Sequence, residues 1–211
     1  MYLVLSSLLT TLAAASPLGK RDDRLSCVQF QYGGPFTSFG LNGWIHLYAN
    51  VTQFYPDTQT TTFNVTQVGV DGNGEIAACG DCRSTQQFGF EVCQGPDGKG
   101  YEGLSNSPEF FYGHILFTYD QSDIQCLEAL RIPVNGSTVR LADCQYKYST
   151  AGKSNQYFLM STSTGPYEAR LVQDDSAGSY GPIVDSDGVV ELYDGPATGP
   201  FSFFGFQAPI F

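Results

Sequence analysis

Residues 126–158 decide how this chain is read. They begin Cys126-Leu127-Glu128-Ala129-Leu130, turn at Val134-Asn135-Gly136-Ser137 and continue Val139-Arg140-Leu141-Ala142-Asp143-Cys144. After a polar loop they end Asn155-Gln156-Tyr157-Phe158. Asn-Gly between two apolar runs is a hairpin signal, because both residues tolerate the positive φ of a tight turn. A cysteine stands at the outer end of each run, so closing the hairpin brings Cys126 and Cys144 together as a disulfide.

The sequence on either side is built the same way: short apolar runs broken by Gly, Pro, Asn and Asp, with almost no helical periodicity. Strands are predicted at 28–32, 43–48, 60–68, 75–78, 87–93 and 110–119, then at 167–173, 188–193 and 201–207. The runs are rich in β-branched and aromatic residues. Phe63 and Val65 are expected on one face of their strand, and Phe88, Phe90 and Val92 alternate in theirs. Residues 110–119 form the most apolar run and read as a buried strand. Asp71-Gly72-Asn73-Gly74 and Asp185-Ser186-Asp187-Gly188 read as tight turns, and 94–108 as a loop. Regularly spaced short strands without a Pro- or Ser-rich linker make one all-β domain, a barrel or a sandwich. Gly43-Trp-Ile-His-Leu-Tyr, Gly113-His-Ile-Leu-Phe and Gly188-Val-Val-Glu-Leu-Tyr echo one another and suggest an internal repeat.

The order Cys-Leu-acid, Asn-Gly-Ser, Val-x-Leu-x-x-Cys and Asn-Gln-x-aromatic over 126–158 resembles one repeat of a ricin-B-type β-trefoil lectin. It covers about one sixth of the chain. The resemblance implies a β-trefoil-like barrel, with an antiparallel β-sandwich as the alternative where no repeat can be matched. It also implies a carbohydrate-binding, non-enzymatic protein. Glu128 takes the position of the carboxylate that accepts hydrogen bonds from sugar hydroxyls, and Asn155 that of the Asn completing the polar set. Gln156 matches a neighbour that in such lectins more often braces the fold. Ala142 departs from the pattern, since an aromatic normally stacks there on the sugar ring. Tyr146 and Tyr148, in the loop after Cys144, are the aromatics left to supply a platform.

The first residues are read as export signals. Residues 1–16 carry an apolar core followed by Ala13-Ala14-Ala15-Ser16, the pattern of a signal peptide, although without a basic residue before the core. Residues 17–21 end in Lys20-Arg21 and read as a short pro-segment with a dibasic processing site of the kind found in fungal secreted proteins, leaving 22–211 as the domain. The whole chain carries a net charge of −11 from 10 basic and 21 acidic residues. Removal of Lys20 and Arg21 leaves 8 basic residues (10 − 2) and a net charge near −13. Such a surface repels phosphate backbones and anionic membranes, so neither is an expected partner. Cys27, Cys79, Cys82, Cys93, Cys126 and Cys144 are an even set, as in exported disulfide-bonded proteins. Cys79 and Cys82 are expected to pair with Cys93 and Cys27. Asn50, Asn64 and Asn135 each open an Asn-x-Ser/Thr acceptor for N-glycosylation and are expected in surface turns.

Other chemistries fit less well. Cys79-Gly80-Asp81-Cys82 has the spacing of a redox pair, but no helical pattern follows it and no second ligand pair for zinc lies nearby. Asp71, Asn73 and Glu75 alternate like calcium ligands, but Ile76 and Cys82 stand where a calcium loop needs Gly and Glu. The histidines, His46 and His114, lie inside strand-like runs and read as packed. No Gly-x-Ser-x-Gly elbow occurs. No metal, cofactor or catalytic residue is therefore expected. The expectation is a secreted, extracellular or cell-wall protein whose partners are glycans or wall polysaccharide. The competing readings are a cell-surface glycoprotein using the scaffold without sugar binding, and a β-sandwich hydrolase with paired carboxylates.

Overall fold

The structure is a computed structural model. It describes residues 23–32, 39–40, 44–50, 63–80, 87–96, 109–119, 123–131, 135–149, 155–162, 167–172, 179–194 and 202–207. The expected signal peptide and pro-segment, Cys82, and 97–108 of the expected loop lie outside them. Among the described residues no α-helix forms, and thus no helix long and apolar enough to cross a membrane.

The described residues form fifteen strands. Two short ones, β2 (Gln31–Tyr32) and β3 (Phe39–Gly40), pair only with each other. The other thirteen form a single antiparallel network. These are β1 (Ser26–Gln29), β4 (Trp44–Asn50), β5 (Phe63–Val70), β6 (Ile76–Ala78), β7 (Gln87–Gln94), β8 (Phe110–Tyr119), β9 (Asp123–Ala129), β10 (Ser137–Ala142), β11 (Phe158–Ser161), β12 (Tyr167–Val172), β13 (Ser179–Val184), β14 (Val190–Asp194) and β15 (Ser202–Gln207).

From β4 onward the pairing pattern recurs in sets of four. In β4–β7, β8–β11 and β12–β15 the first strand pairs with the second. The second turns back onto the third. The fourth strand of each set pairs with the first of the next: β7 with β8, β11 with β12, and β15 with β4. First and fourth also pair within the last two sets. The three inner hairpins meet one another in turn. Leu141 N donates to Gly74 O at 2.9 Å, Ala78 N to Gly188 O at 2.7 Å, and Gly136 N to Leu192 O at 3.0 Å.

Local chemistry explains two of the turns. Asp71 Oδ1 accepts from the backbone N–H of Asn73 and Glu75 at 2.8 and 2.9 Å. Asp185 Oδ1 accepts from Asp187 and Val189 at 2.9 and 2.8 Å. Gly74 and Gly188 follow at φ 81° and 87°, a region costly for other L-residues. Thus two turns far apart in sequence share one geometry. Gly136 closes the third hairpin at φ 78°.

One core runs through all three sets. Ile45, Val68, Ile76 and Phe90 come from the first, Ile115, Leu127, Val139 and Phe158 from the second, and Ala169, Leu171, Val190 and Phe204 from the third. Phe88, Phe90 and Val92 are buried as expected, and so are Phe203, Phe204 and Phe206. Phe63 and Val65 do fall on one face of β5; Val65 is 50% exposed, and Val68, on the other face, enters the core. Two expectations need correction. Asn50 and Asn64 lie in β4 and β5, not in turns; only Asn135 stands in one, and both Asn64 and Asn135 are exposed. In the echo, 44–48 and 113–117 are indeed parts of two first strands, β4 and β8. The third member falls in β14, a third strand; its set begins at Tyr167.

Cys126 and Cys144 are bonded, as the hairpin predicts. Cys27 is joined directly to Cys93, which overturns the expected pairing of these two with Cys82 and Cys79. The cause is register: β1 lies antiparallel on β7 with Cys27 opposite Cys93. Cys79 is also disulfide-bonded, and among the described residues no cysteine is free. Such bonds persist in oxidising compartments, which fits an extracellular setting.

Candidate functional site

The hairpin β9–β10 places Glu128 opposite Arg140. Side chains of directly opposed residues share one face of a sheet, and here they form an ion pair. Arg140 Nη2 donates to Glu128 Oε1 at 2.9 Å, and Nε to the same oxygen at 3.3 Å. The carboxylate is only 11% exposed while the guanidinium is 47% exposed. The pair therefore runs from the interior edge out to solvent.

Gln156 fixes this carboxylate from behind. Its Nε2 donates to Glu128 Oε2 at 3.0 Å and to the carbonyl oxygen of Asp143 at 2.9 Å. Its Oε1 accepts from the backbone N–H of Gln145 at 2.9 Å. Gln156 is fully buried, so its amide is a brace, and it ties β9 to the segment that follows Cys144. Asn155 is half-buried; its backbone carbonyl accepts from Ala129 N at 2.9 Å. Glu128 and Gln156 are thus in direct contact, and Asn155 adjoins them through its backbone bond to Ala129. Arg140 was missed, because the Val-x-Leu-x-x-Cys spacing leaves its position unspecified.

The two tyrosines are used elsewhere. The Tyr148 ring lies against Gly95, where an added Cβ would collide with it. Tyr146 packs edge-on against His114 with centroids 5.4 Å apart, and Arg24 sits 5.8 Å from its ring centre. Burial pushes the Tyr146 phenol up to about 12; the charge of Glu91 and a hydrogen bond to that carboxylate act in the same direction, and Arg24 opposes them.

Tyr146 thereby leads to a second polar cluster that the sequence did not announce. Glu91 faces His114 across β7–β8. His114 Nδ1 lies 2.7 Å from Glu91 Oε1 and 3.7 Å from Cys93 Sγ. His114 and Cys93 are fully buried, and Glu91 nearly so. His114 Nε2 is buried and, among the described residues, has no hydrogen-bond partner. All the polar contacts of this imidazole are therefore on its Nδ1 side. The alternation of Phe88, Phe90 and Val92 puts Glu91 and Cys93 on the opposite face of β7, and that was the available signal. The partner of Cys93 comes from β1, 66 residues away, and that of Glu91 from the next strand, β8.

The segment before β1 closes over this cluster. Leu25 N donates to Tyr146 O at 2.7 Å. Asp23 accepts from Ser149 N at 2.7 Å and from its hydroxyl at 2.6 Å. The Ser149 hydroxyl, and then its backbone N–H, holds the Asp23 carboxyl below the usual range. His46, like His114, is buried, as its strand context implies.

Comparison of the chain with protein-family models, with curated proteins and with solved structures finds no match in any of the three, so the functional reading rests on this chain's own chemistry.

Proposed function

We propose that the protein is a secreted β-trefoil-like domain that binds carbohydrate, without catalysis, at the outer edge of its second four-strand set. The thrice-recurring pairing pattern and the mutual contact of the three inner hairpins support the trefoil reading over a sandwich. The observation that carries the functional reading is the Glu128–Arg140 pair, braced by buried Gln156 and open to solvent at Arg140. A carboxylate accepts from sugar hydroxyls and a guanidinium donates to them. An ionised carboxylate has about four acceptor positions, so the bonds to Arg140 and Gln156 leave it capacity. Asn155, adjacent to Gln156, adds an amide. With Tyr146 and Tyr148 engaged elsewhere, recognition is by hydrogen bonding more than by stacking, which means weak affinity for a single sugar and gain through multivalent polysaccharide.

The commitment of those two rings also favours a second reading, a glycoprotein scaffold in which Glu128, Arg140 and Gln156 only stabilise the hairpin. Pull-down on insoluble wall polysaccharides separates the two. Sugar binding predicts retention that drops at least tenfold in Arg140→Ala and Glu128→Gln, with both variants folded. Retention unaffected by both variants, or no retention of the wild type on any polysaccharide, favours the scaffold.

A further inference from the structure

The register that sets Cys27 opposite Cys93 also sets Glu91 opposite His114 one strand over. One donor atom from each of the four side chains falls within 4.8 Å of every other. Two sulfurs, an imidazole nitrogen and a carboxylate oxygen are the ligand types of a closed tetrahedral zinc site. In such a site neighbouring donors stand about 3.2–3.8 Å apart, given Zn–S near 2.3 Å and Zn–N and Zn–O near 2.0–2.1 Å. Cys93 Sγ and His114 Nδ1 already have that spacing, at 3.7 Å. Glu91 Oε1, at 2.7 Å from the same nitrogen, needs to retreat by about half an ångström. The sulfur–sulfur bond, with the short His114–Glu91 contact, holds the set closed against an ion.

We propose that the dithiol form of the Cys27–Cys93 pair is a zinc site, completed by His114 and Glu91, and that forming the disulfide expels the metal. Opening needs a dithiol reductant. Its thiolate attacks Cys27, the less buried sulfur, and Cys93 leaves as thiolate. The reductant's second thiol resolves the mixed disulfide and releases Cys27, so two electrons pass to the pair and the reductant departs as a cyclic disulfide. On binding zinc the two thiols lose two protons to solvent, and His114 coordinates through Nδ1 with its proton on Nε2. Two thiolates, one carboxylate and a dication give a net charge of −1 for the site. Tyr146, hydrogen-bonded to Glu91, orients that carboxylate as an outer partner. Among the described residues no other group of this kind occurs, so the Cys126–Cys144 bond serves as an internal contrast.

The test uses the full secreted chain, reduced with a dithiol under native conditions, freed of reductant without air and titrated with Co2+ and then Zn2+. Circular dichroism verifies the fold at each step. The expected result is one tetrahedral cobalt per chain, with thiolate charge-transfer absorption that zinc abolishes. Affinity falls at least tenfold in His114→Gln and in the more conservative Glu91→Gln. It persists in Cys79→Ser and in the double variant Cys126→Ser/Cys144→Ser. Three results overturn the proposal: no thiolate–cobalt band in a folded chain with Cys27 and Cys93 titratable as free thiols; a band indifferent to both His114→Gln and Glu91→Gln; or a Cys27–Cys93 bond that opens only when the chain unfolds.

Discussion

Gln156 shows how one side chain can organise a site. Its amide makes three hydrogen bonds, to Glu128, Asp143 and Gln145, in a place no water reaches freely. Truncating it removes the partner of the Gln145 backbone N–H and one of the two side chains that hold the buried Glu128 carboxylate. Gln156→Ala should lower unfolding stability by about 2–4 kcal/mol in urea titration; a loss under half a kcal/mol would mean that water replaces the amide. Tyr146 gives a second prediction. Its folded phenol binds its proton more tightly than an unfolded tyrosine does. The contribution is therefore complete below the ordinary value near 10 and is lost as pH rises toward about 12. Burial also raises Tyr112, and the hydrogen bond to Glu191 raises Tyr193, so spectrophotometric titration should show several tyrosines ionising late, of which Glu91→Gln should bring forward the Tyr146 component. At this scale the sequence was informative where a motif fixed the residue, as at Glu128 and Gln156. It was silent at Arg140 and Glu91, whose roles come from cross-strand partners.

Among the elements, β7 and β8 approach each other closely at Gly113. Gly113 lies opposite Val92, and a Cβ there would land on the carbonyl oxygen of Glu91. Backbone cannot yield as a flexible side chain can, so Gly113→Ala should cost about 2–4 kcal/mol and disturb the Glu91–His114 contact as well. Gly188→Ala meets no neighbour but must hold φ 87°, so its cost should be smaller, about 1–2 kcal/mol. A denaturation series in which Gly188→Ala costs more than Gly113→Ala would contradict this ranking. Turns were legible because Asp-x-Asn/Asp-Gly bonds within itself. The placement of β1 on β7 was not, since it joins residues on either side of all the strands from β2 to β6. That is why the pairing of Cys27 was misjudged while Cys126–Cys144, closing its own hairpin, was readable.

For the whole molecule the two described disulfides close very different loops, with sequence separations of 66 and 18. Chain entropy assigns about 4 kcal/mol to the first and about 3 kcal/mol to the second. Removal of Cys27–Cys93 should thus lower Tm more than removal of Cys126–Cys144. Asp23 adds an acid dependence to the same region. Its carboxyl is depressed in the folded chain, so the strap over Ser149 is fully held above the ordinary carboxylate range and released as pH falls through the lowered value. The repeat was only half visible in the sequence because the three sets share pairing geometry more than residues, and the segments between their strands differ in length. The claim on which the account turns is that carbohydrate binds at the second set. Amide shifts of isotope-labelled protein, followed during titration with a soluble oligosaccharide of the polysaccharide that retains it, address this most directly. The account predicts shifts gathered around Glu128, Arg140 and Asn155. Shifts centred on the first or third set, or none at saturating sugar, would contradict it.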